Sequence, residues 1–515
     1  MRKPVVLGAL VLSVALLGAA AEGPVLAASP GAGDALDRFR NQTVDWTRCR
    51  DASLAASGTE CARITVPLDY GQPRGRTIEV AVSRIASTDP VRRRGILLTN
   101  PGGPATRGLG LPRDLRTVMG SAVTAAYDVV GMDTRGLGGS TPVDCGLTRS
   151  TWLLHAPGPD RAGFEESVRR SRADARSCRE RAADLLPHLS TRNVARDVDV
   201  VRGALGERRT SWFGQSYGAF LGATYAQMFP GRVDRLVLDS APDPAEYPFR
   251  MVRRQGLANE RALDDFAAWV APRHRTYGLG ATPAAVRAGV EAVVERAGDE
   301  PIRVGGHRVG DRELPLLFYL LLVHDTADPE FADLLRVLRD AADGKPVTVP
   351  AWLQGTLDLV FAGAGTDRAA DYAALLAMVC ADTAVPRDLD GYWRAVRRSR
   401  AAQPVFGPMT HAPFPCAFWA EEPREPRTVI DNGVPALQIQ ATGDPRTTYR
   451  SGLRMHRALR ASRLVTVPGR AHTVYASRPN DCVRRTVNTY LVHGTLPARD
   501  TVCRDRTVSP RRPAR

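Results

Sequence analysis

The residues Gly214-Gln215-Ser216-Tyr217-Gly218 stand between a β-forming run, Thr210 to Phe213, and a helical run, Ala219 to Met228. A G-x-S-x-G segment in that setting asks for a strand that turns abruptly into a helix. The glycines have a steric task, because the strained serine backbone brings neighbouring chain too close for a Cβ. The turn lifts the Ser216 hydroxyl clear of the carboxyl edge of a sheet. A helix N-terminus behind it favours developing negative charge. Ser216 is therefore the candidate nucleophile, and the rest of the chain must supply a sheet with helices on its faces.

It does so in two blocks. Arg63 to Leu68 and Thr77 to Arg84 are strand-like and joined through a turn at Gly71-Gln72-Pro73. Short apolar runs follow at Gly95 to Thr99, Tyr127 to Met132 and Val233 to Leu238, with a helical stretch at Asn193 to Leu205. Strands alternating with helices read as a mostly parallel sheet covered on both faces. Between about residues 246 and 425 the pattern changes. Ala, Arg and Leu recur there at helical spacing, as in Phe331 to Ala342 and Ala369 to Met378, without short apolar strands flanked by glycine turns. The alternation returns at Ala436 to Gln440 and Ser462 to Val467, and a helix, Val483 to Val492, closes the chain. The expected organisation is an α/β core, residues 40–245 and 426–515, split by a largely helical lid over 246–425.

Serine is a weak nucleophile until a base takes its proton. In a strand-turn-helix hydrolase the acid and then the histidine follow the serine in the chain. Of the late histidines, His456 falls inside a helical run and His493 stands beside Gly494 at a helix end. His472 lies in a loop directly after the last strand, where it can reach the serine, and is the candidate base. Asp444 follows the strand Ala436 to Gln440 and is the candidate acid, holding the imidazole tautomer and stabilising imidazolium. Asp239 and Asp243, after an earlier strand, are its rivals. An oxyanion hole needs two donors. The Tyr217 amide follows the nucleophile, and the glycine loop Asn100-Pro101-Gly102-Gly103-Pro104 offers the other, with Gly103 preferred over Gly102.

Composition excludes several alternatives. With 515 residues, 43% hydrophobic and 24% charged, the chain is neither disordered nor a multi-span membrane protein. The formal net charge of +15 is almost all arginine, since Lys3 and Lys345 are the only lysines. The arginines are scattered and accompany no nucleic-acid-binding motif, so no nucleic-acid partner is expected. Residues 1–28 read as a secretory signal peptide: Arg2 and Lys3, an apolar run from Val5 to Ala21, and small-residue cleavage sites at Ala21 or near Ala27-Ala28. A secreted, extracellular protein follows, without stable membrane insertion after cleavage. In that compartment the eight cysteines form disulfides. Sequence leaves the connectivity open, and the spacings favour the sequential pairs Cys49–Cys61, Cys145–Cys178, Cys380–Cys416 and Cys482–Cys503.

Together these motifs resemble the secreted actinobacterial tripeptidyl aminopeptidases, in the proline iminopeptidase-like branch of the α/β-hydrolases. The resemblance runs from Trp46 and Cys49 to Cys503. It rests on Val66-Pro67-Leu68-Asp69-Tyr70, Asn100 to Pro104, Asp133-Thr134-Arg135-Gly136 and the turn at Ser216. It rests further on Tyr225-Ala226, Phe229-Pro230, Val237-Leu238-Asp239 and a C-terminal module with Asp444, Thr447, His472 and Cys482-Val483. It implies the α/β-hydrolase fold and a serine exopeptidase with Ser216, Asp444 and His472 as triad. Thr447 matches the family's Asp-x-x-Thr pattern and would steady the acid loop or the substrate. Three departures stand out. Gln215 replaces a glycine, Ala105-Thr106-Arg107 replaces a glycine-richer loop, and Asp239-Ser240-Ala241 replaces Asp-Gly-Val.

The resulting expectation is hydrolysis, without metal or cofactor, of peptide substrates with a free N-terminus. An esterase or lipase-like hydrolase is the alternative, and a non-catalytic binding protein on the same fold is a third reading. A free α-ammonium calls for carboxylates in the lid. Glu421 and Glu422 are the candidates, against the plainer reading of a solvated acidic turn.

Overall fold

The computed structural model describes residues 32–147, 155–362 and 367–504. The signal-peptide reading of residues 1–28 lies outside them. The strands in chain order are β1 (Thr47–Arg48), β2 (Glu60–Pro67), β3 (Thr77–Ile85), β4 (Gly95–Asn100), β5 (Tyr127–Met132), β6 (Thr210–Gln215), β7 (Val233–Asp239), β8 (Ile302–Val304), β9 (His307–Val309), β10 (Ala436–Ala441), β11 (Ser462–Val467) and β12 (Thr501–Val502). Ten of them form one sheet in the order β1-β2-β3-β5-β4-β6-β7-β10-β11-β12. The β1–β2, β2–β3 and β3–β5 pairs are antiparallel, and every pair from β5 to β12 is parallel. Strands β4, β5, β6 and β10 are buried at every residue. In β4 and β5 this is why the sequence shows short apolar runs rather than alternation, whereas β6 and β10 also bury the polar residues Thr210, Ser211, Gln438 and Gln440.

Helices cover both faces. Val198 and Val201 of helix Thr191–Ala204 and Leu221 of helix Tyr217–Met228 pack with Ile96, Val130 and Leu236 on one face. On the other, Val487 and Leu491 of helix Asp481–His493 pack with Leu97, Val237 and Ile439. Arg135, from the Asp-Thr-Arg-Gly segment, is wholly buried. It forks onto Asp197 through Nε at 2.7 Å and Nη2 at 2.6 Å, and its remaining donors reach the carbonyls of Pro67, Leu68 and His188. A buried guanidinium satisfied on all sides in this way fastens the end of β2 to helix Thr191–Ala204.

The chain leaves the sheet after β7 and returns at β10, and the intervening segment is mainly helical. It has its own core, in which Phe266, Leu317, Phe318, Phe331 and Leu338 meet. It is not devoid of strands. β8 and β9 pair as a hairpin around Gly305 and Gly306, both at positive φ. Strands of three residues are too short to show a period of two, so this hairpin is a correction to the sequence reading. The cysteines pair as Cys49–Cys61, Cys145–Cys178, Cys380–Cys416 and Cys482–Cys503. These bridges fit an oxidising compartment. Among the described residues, no helix is long and apolar enough to cross a membrane.

Candidate active site

Ser216 follows β6 at φ 55° and ψ −120°, a left-handed backbone that a side chain rarely adopts. Its neighbours show why glycine flanks it. A Cβ on Gly214 would lie 2.1 Å from the Gly218 carbonyl oxygen, and one on Gly218 would lie 2.4 Å from the Asn100 carbonyl oxygen. Gln215 occupies the last position of β6, outside the positive-φ region, and so tolerates a side chain where the family has glycine.

The loop after β4 passes directly over this turn. A Cβ on Gly102 would meet the Gln215 carbonyl at 2.6 Å and the Ser216 Cβ at 2.9 Å. The Gly102 amide donates to Asn100 Oδ1 at 2.9 Å. The amides of Gly103 and Tyr217 have no acceptor among the described residues. That of Tyr217 opens helix Tyr217–Met228, where first-turn amides have no intrahelical partner. The Tyr217 amide thus follows Ser216 directly, and the Gly103 amide follows Gly102, which closes on the Ser216 turn.

Asp444 and His472 are in contact across the ends of β10 and β11. His472 Nδ1 lies 2.9 Å from Asp444 Oδ2 and 3.1 Å from Oδ1. The Asp444 carboxylate is buried and also accepts from the Arg446 amide at 2.7 Å, the Thr447 amide at 2.9 Å, Thr447 Oγ1 at 2.8 Å and Gln440 Nε2 at 3.2 Å. Thr447 Oγ1 also approaches the Ser240 carbonyl at 2.9 Å and lies 3.3 Å from His472 Nδ1. So many donors fix the orientation of the carboxylate that faces the imidazole. His324, from the lid, is the second imidazole here. Burial, reinforced by the charge of nearby His472, pushes its pKa down to about 4.

The rival residues have other tasks. His456 bonds Ser462 Oγ and Asp500, and His493 ends its helix before the left-handed Gly494. Asp243 caps the Ala245 amide and pairs with Arg454. Asp239 accepts the amides of Val474 and Tyr475 at 2.9 and 2.8 Å, while its carbonyl accepts the Ser216 amide at 2.9 Å. Ser240 is also at positive φ, 61°, and its hydroxyl accepts the Thr473 amide. Both residues brace the site, a role their sequence context did not suggest. The only written trace is that the family carries glycine where this chain has Ser240.

A cavity of about 440 Å³ adjoins Gly103 and is lined by Thr106, Arg107, Asp371, Tyr372 and Leu375, the last three from lid helix Asp367–Asp382. Arg107 pairs there with Asp371 at 3.0 Å and Asp367 at 2.9 Å. Glu421 and Glu422 do not line it, and Glu422 pairs with Arg387 at the surface.

The chain is similar to several known proteins. Residues 403–503 match the family model described as TAP-like protein, and residues 95–302 match that of the alpha/beta hydrolase fold. The chain is 33% identical over 491 residues to a tripeptidyl aminopeptidase of Streptomyces lividans, covering 92% of this chain and 89% of that one. The chain belongs to the tripeptidyl aminopeptidase family. It is also 29% identical to the serine protease Hip1 of Mycobacterium tuberculosis, over 90% of this chain and 91% of that protein. To a carboxylesterase B of the same organism it is 30% identical, over 96% of each chain. In this tripeptidyl aminopeptidase family member the TAP-like match contains Asp444, Thr447 and His472, and the α/β-hydrolase match contains Gly103, Ser216 and Tyr217.

Proposed function

We propose that this protein is a secreted serine exopeptidase that removes short peptides, of tripeptidyl size, from a free N-terminus. Ser216 Oγ attacks the scissile carbonyl while His472 takes its proton. Asp444 holds the imidazole with Nδ1 towards the carboxylate and stabilises the imidazolium that forms. The amides of Gly103 and Tyr217 receive the oxyanion. His472 then protonates the leaving amine, and water releases the acyl group from Ser216. The observation that carries this reading is the 2.9 Å contact of His472 Nδ1 with Asp444 Oδ2 in a chain whose serine occupies a strained strand-to-helix turn.

The acyl portion of the substrate occupies the cavity beside Gly103. A peptide of three residues spans about 10 Å when extended, and the substrate ammonium is met by Asp371 on the lid rather than by Glu421 or Glu422. Burial holds the Asp371 carboxyl above its ordinary value, while Arg107 opposes that shift. An arriving ammonium would oppose it too.

A panel of chromogenic aminoacyl, dipeptidyl and tripeptidyl amides tests this, run alongside N-blocked versions and short-chain esters. Tripeptidyl amides with free amines should turn over fastest. Turnover of esters alone would favour the esterase reading and overturn the peptidase one. Equal turnover of blocked and free amides would overturn the exopeptidase part.

A further inference from the structure

Two arginines flank the candidate triad in the sequence, Arg446 two residues after Asp444 and Arg470 two residues before His472. Both are buried, and both point into the lid. Arg446 donates from Nη1 to Asn259 Oδ1 at 2.7 Å and from Nη2 to the Tyr319 carbonyl, and its guanidinium covers the Tyr319 ring. No carboxylate bonds this guanidinium among the described residues. The lid reciprocates on the acid loop's backbone: Asn259 Nδ2 donates to the Pro445 carbonyl at 3.2 Å, and Gln255 Nε2 donates to the Arg446 carbonyl at 3.1 Å. Tyr319 OH then bonds Gln255 Oε1 at 3.1 Å, closing the network.

Arg470 makes the matching connection from the histidine loop. It donates to the Ala262 carbonyl at 2.7 Å and to the His324 carbonyl at 3.3 Å, and it forms a buried ion pair with Asp328. Its amide reaches Asp325 Oδ2 at 3.2 Å, and its carbonyl accepts the Asp325 amide at 3.0 Å. Gln255, Asn259 and Ala262 are spaced four and three residues apart on lid helix Phe249–Val270, so they share one helical face. One face of one lid helix therefore grips both loops.

We propose that lid helix Phe249–Val270 is a positioning element of the triad: through Arg446 and Arg470 it sets where Asp444 and His472 stand. The inference rests on the reading of Asp444 and His472 as acid and base. Burial charges a price for such a contact: it pushes the Arg446 pKa down to about 10, although the negative charge of Asp444 opposes the fall. A cation kept there in preference to an apolar side chain supplies directional bonds that an apolar side chain lacks. Misplacing reacting groups by about 1 Å costs on the order of 100-fold in rate. On this side helix Phe249–Val270 is thus bonded to the loops that carry Asp444 and His472.

The test compares wild type, Arg446→Met, Arg446→Lys and Asn259→Ser by two readouts. These are kcat and KM on a tripeptidyl amide, and the rate at which a fluorophosphonate probe labels Ser216. Arg446→Met should lower kcat about 100-fold with KM within about twofold, and labelling should slow in proportion. Arg446→Lys should recover part of the loss, and Asn259→Ser should show a smaller fall of the same kind. If Arg446→Met does not fold, Asn259→Ser decides by the same criteria. Labelling of the variants at the wild-type rate, or a rise in KM alone, overturns the positioning role. A wild type that does not label overturns the serine-hydrolase reading itself, and the positioning role with it.

Discussion

Asp239 holds Ser216 with its backbone and the histidine loop with its side chain. The Ser216 amide donates to the Asp239 carbonyl at 2.9 Å, and the Val474 and Tyr475 amides donate to its two carboxylate oxygens. The end of β7 therefore ties the nucleophile's turn to the loop just beyond His472. Asparagine can accept at one of these oxygens only and would turn an amide donor towards the second N–H. Asp239→Asn should cost about 1–3 kcal/mol of stability and lower kcat at least about tenfold with little change in KM. Chemical denaturation and steady-state kinetics measure both. Wild-type kcat would show that the tie does not matter for catalysis.

Gly102 tests the closeness of the oxyanion loop. Its φ is +101°, and a Cβ would press on the Gln215 carbonyl and the Ser216 Cβ. Gly102→Ala should destabilise the protein by about 1–3 kcal/mol through backbone strain and cut kcat sharply, because the Gly103 amide moves with it. Ala substitution at Gly433, where nothing lies near a new Cβ, should leave activity intact.

Two imidazoles share the site, and burial takes one of them, His324, out of the neutral range. His324 is pushed down to about 4, so it is neutral well above that pH. A fall in kcat/KM on acidification near neutrality therefore does not belong to His324. His324→Asn should keep that limb of the pH profile in place. Loss or displacement of the limb by more than about one pH unit, 1.36 kcal/mol of differential interaction, would assign the titration to His324 instead.

Asp382 ends lid helix Asp367–Asp382 and accepts the Thr191 amide and hydroxyl. Burial pushes its pKa up to about 7 from 3.8, and the Thr191 hydrogen bonds only partly oppose that. The raised value means that the folded state favours the protonated acid. Its contribution to stability is full below the unfolded pKa and is lost as pH rises towards 7. Asp382→Asn should gain on wild type in melting temperature between pH 4 and pH 7 and then run parallel to it. A melting-temperature difference independent of pH would contradict the shift.

Asp371 should matter for free-amine substrates alone. Asp371→Asn should raise KM for tripeptidyl amides about tenfold, roughly the 1.4 kcal/mol of one weak ionic contact, and leave N-blocked substrates unchanged. Equal effects on both would remove the residue from ammonium recognition.

The sequence shows β4 and β5 because they are buried on both faces and so are written as short, mainly apolar runs. It shows Ser216, Asp444 and His472 as candidates because each follows a strand in a loop. It conceals Arg446 and Arg470, since two buried arginines look like any others in a chain with scattered arginine. Ser240 is concealed for a different reason: a positive φ leaves no mark on a serine. Asp239 looks like a rival acid because a carboxylate that accepts two loop amides cannot be told from one that faces an imidazole. The three-residue strands β8 and β9 fall below the length at which alternation can be read.

β10 pairs with β7, yet about two hundred residues of lid separate them in the chain. The strand that leads to Asp444 is therefore made long after the strand that leads to Ser216. A chain emerging from synthesis carries its serine first, before the segments that hold Asp444 and His472. The complete site therefore cannot form before the C-terminal part of the chain has been made and has joined the sheet.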